Sequence, residues 1–115
     1  MEKTIRDIIQ GFQNELAKGD LQPDRAAEIL TQLAALYGNI NDEIRRCDLA
    51  YAQVLLNNLE TMEKANRAKI KSECSIQFEA KCIARNTKEL AEEMMRSLKY
   101  LLKAKESEYR AGRYQ

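Results

Sequence analysis

The chain has 115 residues, of which 44% are hydrophobic and 32% are charged, with 19 basic and 18 acidic side chains. This length and composition predict one soluble, ordered domain, because domains cluster near about 100–150 residues and disordered chains carry fewer apolar residues. With four Gly, one Pro and no His, the sequence disfavours turn-rich β-sandwiches and barrels, and also chemistry that depends on a histidine base or ligand. We therefore expect an all-α protein that is not an enzyme and that binds no metal and no cofactor.

Neither export nor membrane insertion is indicated by the sequence. No apolar run approaches the roughly 18 residues of a membrane-spanning helix, and the first fifteen residues lack the apolar region of a signal peptide. We expect a cytoplasmic protein without membrane contact. Three cysteines, Cys47, Cys74 and Cys82, form no CxxC pair, so we interpret them as small buried side chains in a reducing compartment.

The first predicted element is a helix from about Thr4 to Lys18, followed by a short link and a second helix that begins at Pro23. Apolar residues on the first helix recur at three- and four-residue spacing and form one stripe: Ile5, Ile8, Ile9, Phe12 and Leu16. Gly19 suits the residue after a helix end, because it adopts the left-handed conformation without strain, and proline is favoured at a first helical position. Residues 1–38 are therefore predicted to form a helical hairpin.

The following segment contains no Gly or Pro between Gly38 and Gly112. The second helix either ends at Gly38, with a new helix starting at Asn41, or continues through the glycine. Hydrophobicity falls over residues 60–73, which are either a turn or an exposed part of a continuous helix. Both alternatives leave long helices whose apolar stripes need partners.

A stripe typical of a coiled coil follows, with apolar residues mostly spaced by three or four: Ile76, Ala80, Ile83, Thr87, Leu90, Met94, Leu98 and Leu101. Asn86 with Glu89 either opens a last helix as a capping box or lies on the surface of a continuous one. The predicted fold is all-α, a single domain over 1–115. In it a short N-terminal hairpin precedes two long helices, 39–111, that form an antiparallel coiled coil or helical bundle. Gly112 is expected to end the last helix, so that 112–115 are a tail.

Charge divides unevenly along the chain. Residues 1–63 carry 6 basic and 11 acidic residues, a net charge of −5, whereas residues 64–115 carry 13 basic and 7 acidic residues, a net charge of +6. At the boundary an acid-free run places four cations in eight residues: Lys64, Arg67, Lys69 and Lys71. We predict that this run binds an anionic partner, DNA or RNA, because cations at helical spacing can follow a phosphate backbone. The alternative is a solvated helix end kept soluble by its charge.

Two further surfaces are predicted to bind partners. The C-terminal tail alternates aromatic and guanidinium groups, which stack on bases or anchor in protein grooves: Tyr109, Arg110, Arg113 and Tyr114. Alternatively, Tyr109 closes the core and the rest frays. The long helices carry more apolar surface than one antiparallel partner covers, so we expect a homo-oligomer, most simply a two-fold dimer. Its predicted interface comprises Leu55, Leu56, Leu59, Leu98 and Leu101.

Three stretches resemble small helical proteins encoded in bacteriophage and prophage genomes. They are LAKGDLQPDRAAEILTQLAALYGNI at 16–40, ANRAKIKSE at 65–73 and ARNTKELAEEMMRSLKYLLKAKESEYRAGRYQ at 84–115. The resemblance implies a helical accessory protein of a bacterial host cell, and it assigns no functional residue. We expect such a protein to oligomerise and to bind nucleic acid or a nucleic-acid-processing protein. The alternative is a protein-binding inhibitor of a host enzyme, or an assembly factor, without nucleic-acid binding.

Overall fold

A computed structural model describes residues 3–113, and the side chains of all of these except the last. It contains four helices: α1 (Ile5–Ala17), α2 (Pro23–Thr61), α3 (Ala65–Glu73) and α4 (Ile76–Arg113). Since no residue of this described range lies in a strand, the prediction of an all-α fold is confirmed.

Capping interactions at the start of α1, and a glycine after its end, explain where this helix begins and ends. The Thr4 hydroxyl accepts a hydrogen bond from the Asp7 backbone N–H, and the Asp7 carboxylate accepts one from the Thr4 N–H, each at 3.1 Å. These bonds hold the pKa of Asp7 below its ordinary value, with the Thr4 backbone N–H contributing most. Gly19 follows the helix with a φ of 84°, which is the left-handed conformation expected from the sequence.

The chain divides into two compact units. Unit 1 joins the residues up to Gly38 with those from Glu89 onward. Its buried apolar residues come from three helices: Ile9, Phe12, Ala26, Ile29, Leu33, Ala91, Met94 and Leu98. Arg25 of α2 donates two hydrogen bonds of 2.9 Å to Glu15 of α1, and this pairing lowers the pKa of the Glu15 carboxyl.

Unit 2 comprises Asn39–Lys88. Its buried residues include two polar ones among the apolar ones: Ile40, Tyr51, Ala68, Ser72, Ala84 and Thr87. Between α2 and α4, the rings of Tyr51 and Phe78 have centroids 5.2 Å apart, and Arg85 forms a 2.8 Å ion pair with Asp48. Aromatic packing therefore joins the two long helices inside this unit, with an ion pair beside it.

The continuous-helix alternative holds at both Gly38 and Asn86, whereas the expected helix end at Gly112 is wrong. Helix α2 has 39 residues and is continuous through Gly38, which is the second of the two alternatives for this glycine. Helix α4 likewise continues through Asn86 and past Gly112, which excludes a capping box at Asn86 and a tail that begins at Gly112. In each case the adjoining helical turns outweigh a residue of only moderate helix-breaking strength.

Residues 60–73 are neither a simple turn nor part of one continuous helix. Helix α2 ends at Thr61, residues 62–64 turn the chain, and the nine-residue α3 follows. A second break precedes α4, where the Ser75 hydroxyl accepts a hydrogen bond of 3.2 Å from the Phe78 backbone N–H and thereby caps the new helix. A short helix, α3, therefore separates the two long helices α2 and α4 along the chain.

Replacing Gly38 with alanine is expected to stabilise the protein. Gly38 lies inside α2, and an added Cβ would meet no atom within 4 Å. Because alanine loses less backbone entropy on helix formation, we expect the free energy of unfolding to rise by about 0.5–1 kcal/mol in urea denaturation. The matched control is Gly19→Ala, which places a side chain at a positive φ and should lower stability by about 1–2 kcal/mol. A loss of stability in Gly38→Ala would contradict the assignment of a continuous α2.

Candidate nucleic-acid interface

Helix α3 is held in unit 2 by two small side chains one turn apart. Ala68 and Ser72 have no exposed surface. The Ser72 hydroxyl donates a 2.7 Å hydrogen bond to the Ala68 carbonyl and accepts one of 2.9 Å from the Asn58 side-chain amide of α2. Since this narrow face is the buried one, the longer side chains of α3 are turned outward.

Three of the four predicted cations share one flank of α3. Lys64, Arg67 and Lys71 follow the spacing i, i+3 and i+7, and all three are exposed. Within the described side chains none of them forms an ion pair. We call these three residues the α3 cation stripe. It extends about 10 Å along the helix at 1.5 Å per residue, so it offers three free positive charges to one extended anion.

Lys69 lies outside this stripe, and the prediction of one four-residue surface needs correction. It is two positions from both Arg67 and Lys71, which corresponds to about 200° around a helix of 3.6 residues per turn. Its neighbour one turn later is Glu73. Lys69 is exposed, but on the opposite flank of α3.

A second set of exposed cations lies on α4. Arg96, Lys99 and Lys103 repeat the spacing i, i+3 and i+7 and are exposed, with Tyr100 beside them 78% exposed. We call these three cations the α4 cation stripe. Glu92 lies one turn before Arg96 and accepts a 3.4 Å hydrogen bond from the Tyr37 hydroxyl. The signal for this stripe was present in the sequence, because residues 94–105 contain no acid.

The predicted C-terminal site is only partly within the described residues. Tyr109 is 70% exposed, so it does not close a core. Arg110 pairs with Glu106 one turn earlier at 2.7 Å. Tyr114 and the side chain of Arg113 lie outside the described part of the chain. The two described residues belong to α4 and not to a separate tail.

The five leucines of the predicted dimer interface do not form one surface. Leu56 and Leu59 of α2 are 50% and 43% exposed, whereas Leu55 and Leu101 are half-buried. Leu98 has no exposed surface, because it belongs to the core of unit 1. Its assignment to a contact between subunits is therefore wrong. The sequence pattern showed that Leu98 is apolar and periodic, and both properties fit an internal contact equally well.

The cysteines are not the buried set that was expected. Cys74 and Cys82 are exposed and Cys47 is half-buried, because the first follows the last turn of α3 and the second lies on the outer side of α4. Burial, with a contribution from Glu43, raises the pKa of the Cys47 thiol and so disfavours the reactive thiolate. Across residues 3–113, no three Cys, Asp or Glu side chains are grouped to hold a metal ion.

Comparison with known protein families, with curated proteins and with solved structures finds no match for this chain. Over the described residues, no helix combines the length and the apolar character needed to cross a membrane. The exposed cations of α3 and α4 and the exposed leucines of α2 are therefore the features from which a function can be inferred.

Proposed function

We propose that this chain is a non-catalytic, phage-type accessory protein that oligomerises through its helices and binds the phosphate backbone of a nucleic acid with the α3 cation stripe. The observation that carries this proposal is the arrangement of Lys64, Arg67 and Lys71, three exposed cations on one flank without ion pairs among the described side chains. Cations that follow one line can replace the counterions of a polyanion, and release of those counterions drives binding.

The position of the stripe supports a role in binding over a role in stability. Lys64 is the residue before α3, and Arg67 is in its first turn, which contains no acid. The positive end of a helix dipole disfavours cations there by about 0.3–1 kcal/mol each. Since Lys64 also makes no side-chain capping bond, local helix stability does not explain these two charges, whereas an anionic partner does.

The proposed architecture has α2 and α4 paired as an antiparallel coiled coil, in the cytoplasm of a bacterial host cell. Contacts within unit 2 support this pairing. Asp48 contacts Arg85, and Tyr51, three residues later in α2, contacts Phe78, which is earlier in α4. Such opposite progression is typical of antiparallel helices, and it would leave α3 at the connection between them.

The test is binding of a labelled oligonucleotide of about 30 nucleotides, followed by fluorescence anisotropy, with single-stranded DNA, double-stranded DNA and RNA compared. If three phosphates are contacted on a duplex, the affinity should fall about 40-fold between about 50 and 200 mM salt. Reversing the stripe with Lys64→Glu, Arg67→Glu and Lys71→Glu should weaken binding at low salt at least tenfold and flatten the salt dependence. Helicity should be unchanged, because all three residues are exposed.

The chain offers a closely matched control in the α4 cation stripe. Arg96→Glu, Lys99→Glu and Lys103→Glu exchange the same residue types at the same spacing and change the net charge equally. This variant should bind the oligonucleotides more tightly than the α3 variant. Absence of binding by the unaltered chain at low salt, or equal losses in both variants, would refute the proposed site.

A second candidate function is binding of a protein, such as a host enzyme, an assembly intermediate or a nucleic-acid-processing protein. The observation that favours it is the exposure of large apolar side chains in unit 2, among them Ile76 at 80%, Leu49 at 64% and Ile70 at 62%. Apolar contacts depend little on salt, unlike phosphate contacts. A partner that remains bound at high salt after nuclease treatment would support this function over the first.

A further inference from the structure

The outer face of α2 in unit 2 carries an apolar line with no partner among the described residues. Leu49, Leu56 and Leu59 are 64%, 50% and 43% exposed, and Ala52 between them is also exposed. Their spacing of three, four and three residues is that of the contact positions of a coiled coil. We call these four residues the α2 seam. Tyr51 and Asn58 face the opposite way, into unit 2, so the seam is a second apolar side of the same helix.

The charges at the two ends of the seam have opposite signs. Arg45 and Arg46 precede it, and Glu60 and Glu63 follow it. All four residues are exposed, and none has an ion pair among the described side chains. A surface whose beginning is cationic and whose end is anionic is complementary to itself only when the second copy runs in the opposite direction.

An antiparallel second copy also matches the seam in shape. If the two-fold axis passes at Val54, Leu49 lies opposite Leu59 of the second copy, and the small Ala52 lies opposite Leu56. Large and small side chains then alternate across the contact, which allows close packing. A parallel copy in register would instead place Ala52 against Ala52, leaving a gap there, and would bring like charges together at both ends.

The same axis places the flanking charges in pairs. Arg46 lies level with Met62 of the second copy and only two residues, about 3 Å along the axis, from Glu60, so its long side chain can reach that carboxylate; by symmetry this pair occurs at both ends of the contact. Arg45 approaches Glu63, which lies just after the end of α2. Flanking charges of this kind set partner and orientation in coiled coils. In a parallel copy, Glu60 and Glu63 would lie at the other end of the contact, out of reach of Arg46.

We infer that two copies of this chain pair antiparallel through the α2 seam, with Ala52 against Leu56 and Arg46 against Glu60. This inference specifies the oligomerisation in the proposed function, and it does not depend on nucleic-acid binding. The contact uses the same patch on both copies and is therefore closed at two subunits. Because the seam covers only about 15 Å between Leu49 and Leu59, the dimer is expected to dissociate reversibly at micromolar concentrations.

The first test is the mass in solution, measured by sedimentation equilibrium across a range of concentrations. The unaltered chain should rise from its monomer mass of 13.3 kDa toward twice that value. Leu56→Asp should remain a monomer, because it places a charge in the centre of the contact. The matched control is Ile83→Asp, which changes an apolar residue of α4 that is 46% exposed and lies outside the seam; this variant should dimerise normally.

The second test determines orientation by exchanging charges. Arg46→Glu alone and Glu60→Arg alone should each dimerise at least tenfold more weakly, because like charges then meet at both ends. An equimolar mixture should form a heterodimer, in which every Arg46–Glu60 contact again joins opposite charges. A parallel dimer would already place residue 46 against residue 46 and residue 60 against residue 60, so neither single change would weaken it. A monomer at all concentrations, an unchanged dimer in Leu56→Asp, or absence of this recovery would each overturn the inference.

Oligonucleotide binding by Leu56→Asp separates this inference from the proposed function. The α3 cation stripe is intact in that variant, so it should still bind labelled DNA or RNA at low salt as a monomer. Binding without dimerisation in the unaltered chain would overturn only the pairing. Dimerisation without binding would overturn only the nucleic-acid proposal.

Discussion

Leu98→Ala is expected to lower the free energy of unfolding by about 2–5 kcal/mol, the range found when a buried leucine is cut back to alanine. Leu98 has no exposed surface in unit 1, where Met94 and Ala91 on the same helix are also buried. Removing its side chain loses transfer free energy and leaves a cavity that the surrounding helices can fill only in part. Urea denaturation followed by circular dichroism measures the change.

Tyr100→Ala is the control for this effect, two residues further along α4. Tyr100 is 78% exposed, so its loss should change stability by less than about 0.5 kcal/mol. Equal effects of the two changes would show that Leu98 is not in the core. A loss of dimer without a loss of stability in Leu98→Ala would restore its original assignment to a contact between subunits.

Ala68→Leu is expected to displace α3 from unit 2. Ala68 is fully buried, and the neighbouring Ser72 hydroxyl must stay within hydrogen-bond reach of Asn58. A leucine in this space forces the two helices apart, at a cost of about 1–3 kcal/mol. Limited proteolysis should therefore cut within residues 62–75 faster than in the unaltered chain.

The control for Ala68→Leu places the same residue on the outside of α3. Asn66 is exposed, so Asn66→Leu should leave the rate of proteolysis nearly unchanged. Unchanged cleavage in Ala68→Leu would contradict the tight contact between α3 and α2.

The parts of the fold that were predictable are those set by local signals. Gly19 and Pro23 identify the link between α1 and α2, because each suits one backbone position better than other residues do. The break at residues 62–64 has no such signal, since it contains neither Gly nor Pro. Its position depends on contacts such as Asn58 with Ser72, which periodicity along the chain does not report.

The candidate site was predictable in composition but not in shape. The acid-free run identified Lys64, Arg67 and Lys71, and helical spacing places them together. Lys69 belongs to the same acid-free run in sequence, but the rotation of the helix places it on the other flank. The placement of Leu98 in the leucine interface was wrong for a similar reason. Helical spacing identifies an apolar stripe, but it does not show whether that stripe packs against the same chain or against another copy. For Leu98 it faces its own chain.

Few buried side chains hold α3 in unit 2, and this affects how its cations can bind an anionic partner. A nine-residue helix is too short to persist alone, and this one is fixed largely by an alanine and a serine. We therefore expect local opening of α3 to cost less free energy than opening of the long helices, so that α3 can be released while the rest of the fold stays intact. A charged surface on such an element adjusts its path to an irregular anion, at the cost of ordering that element each time it binds.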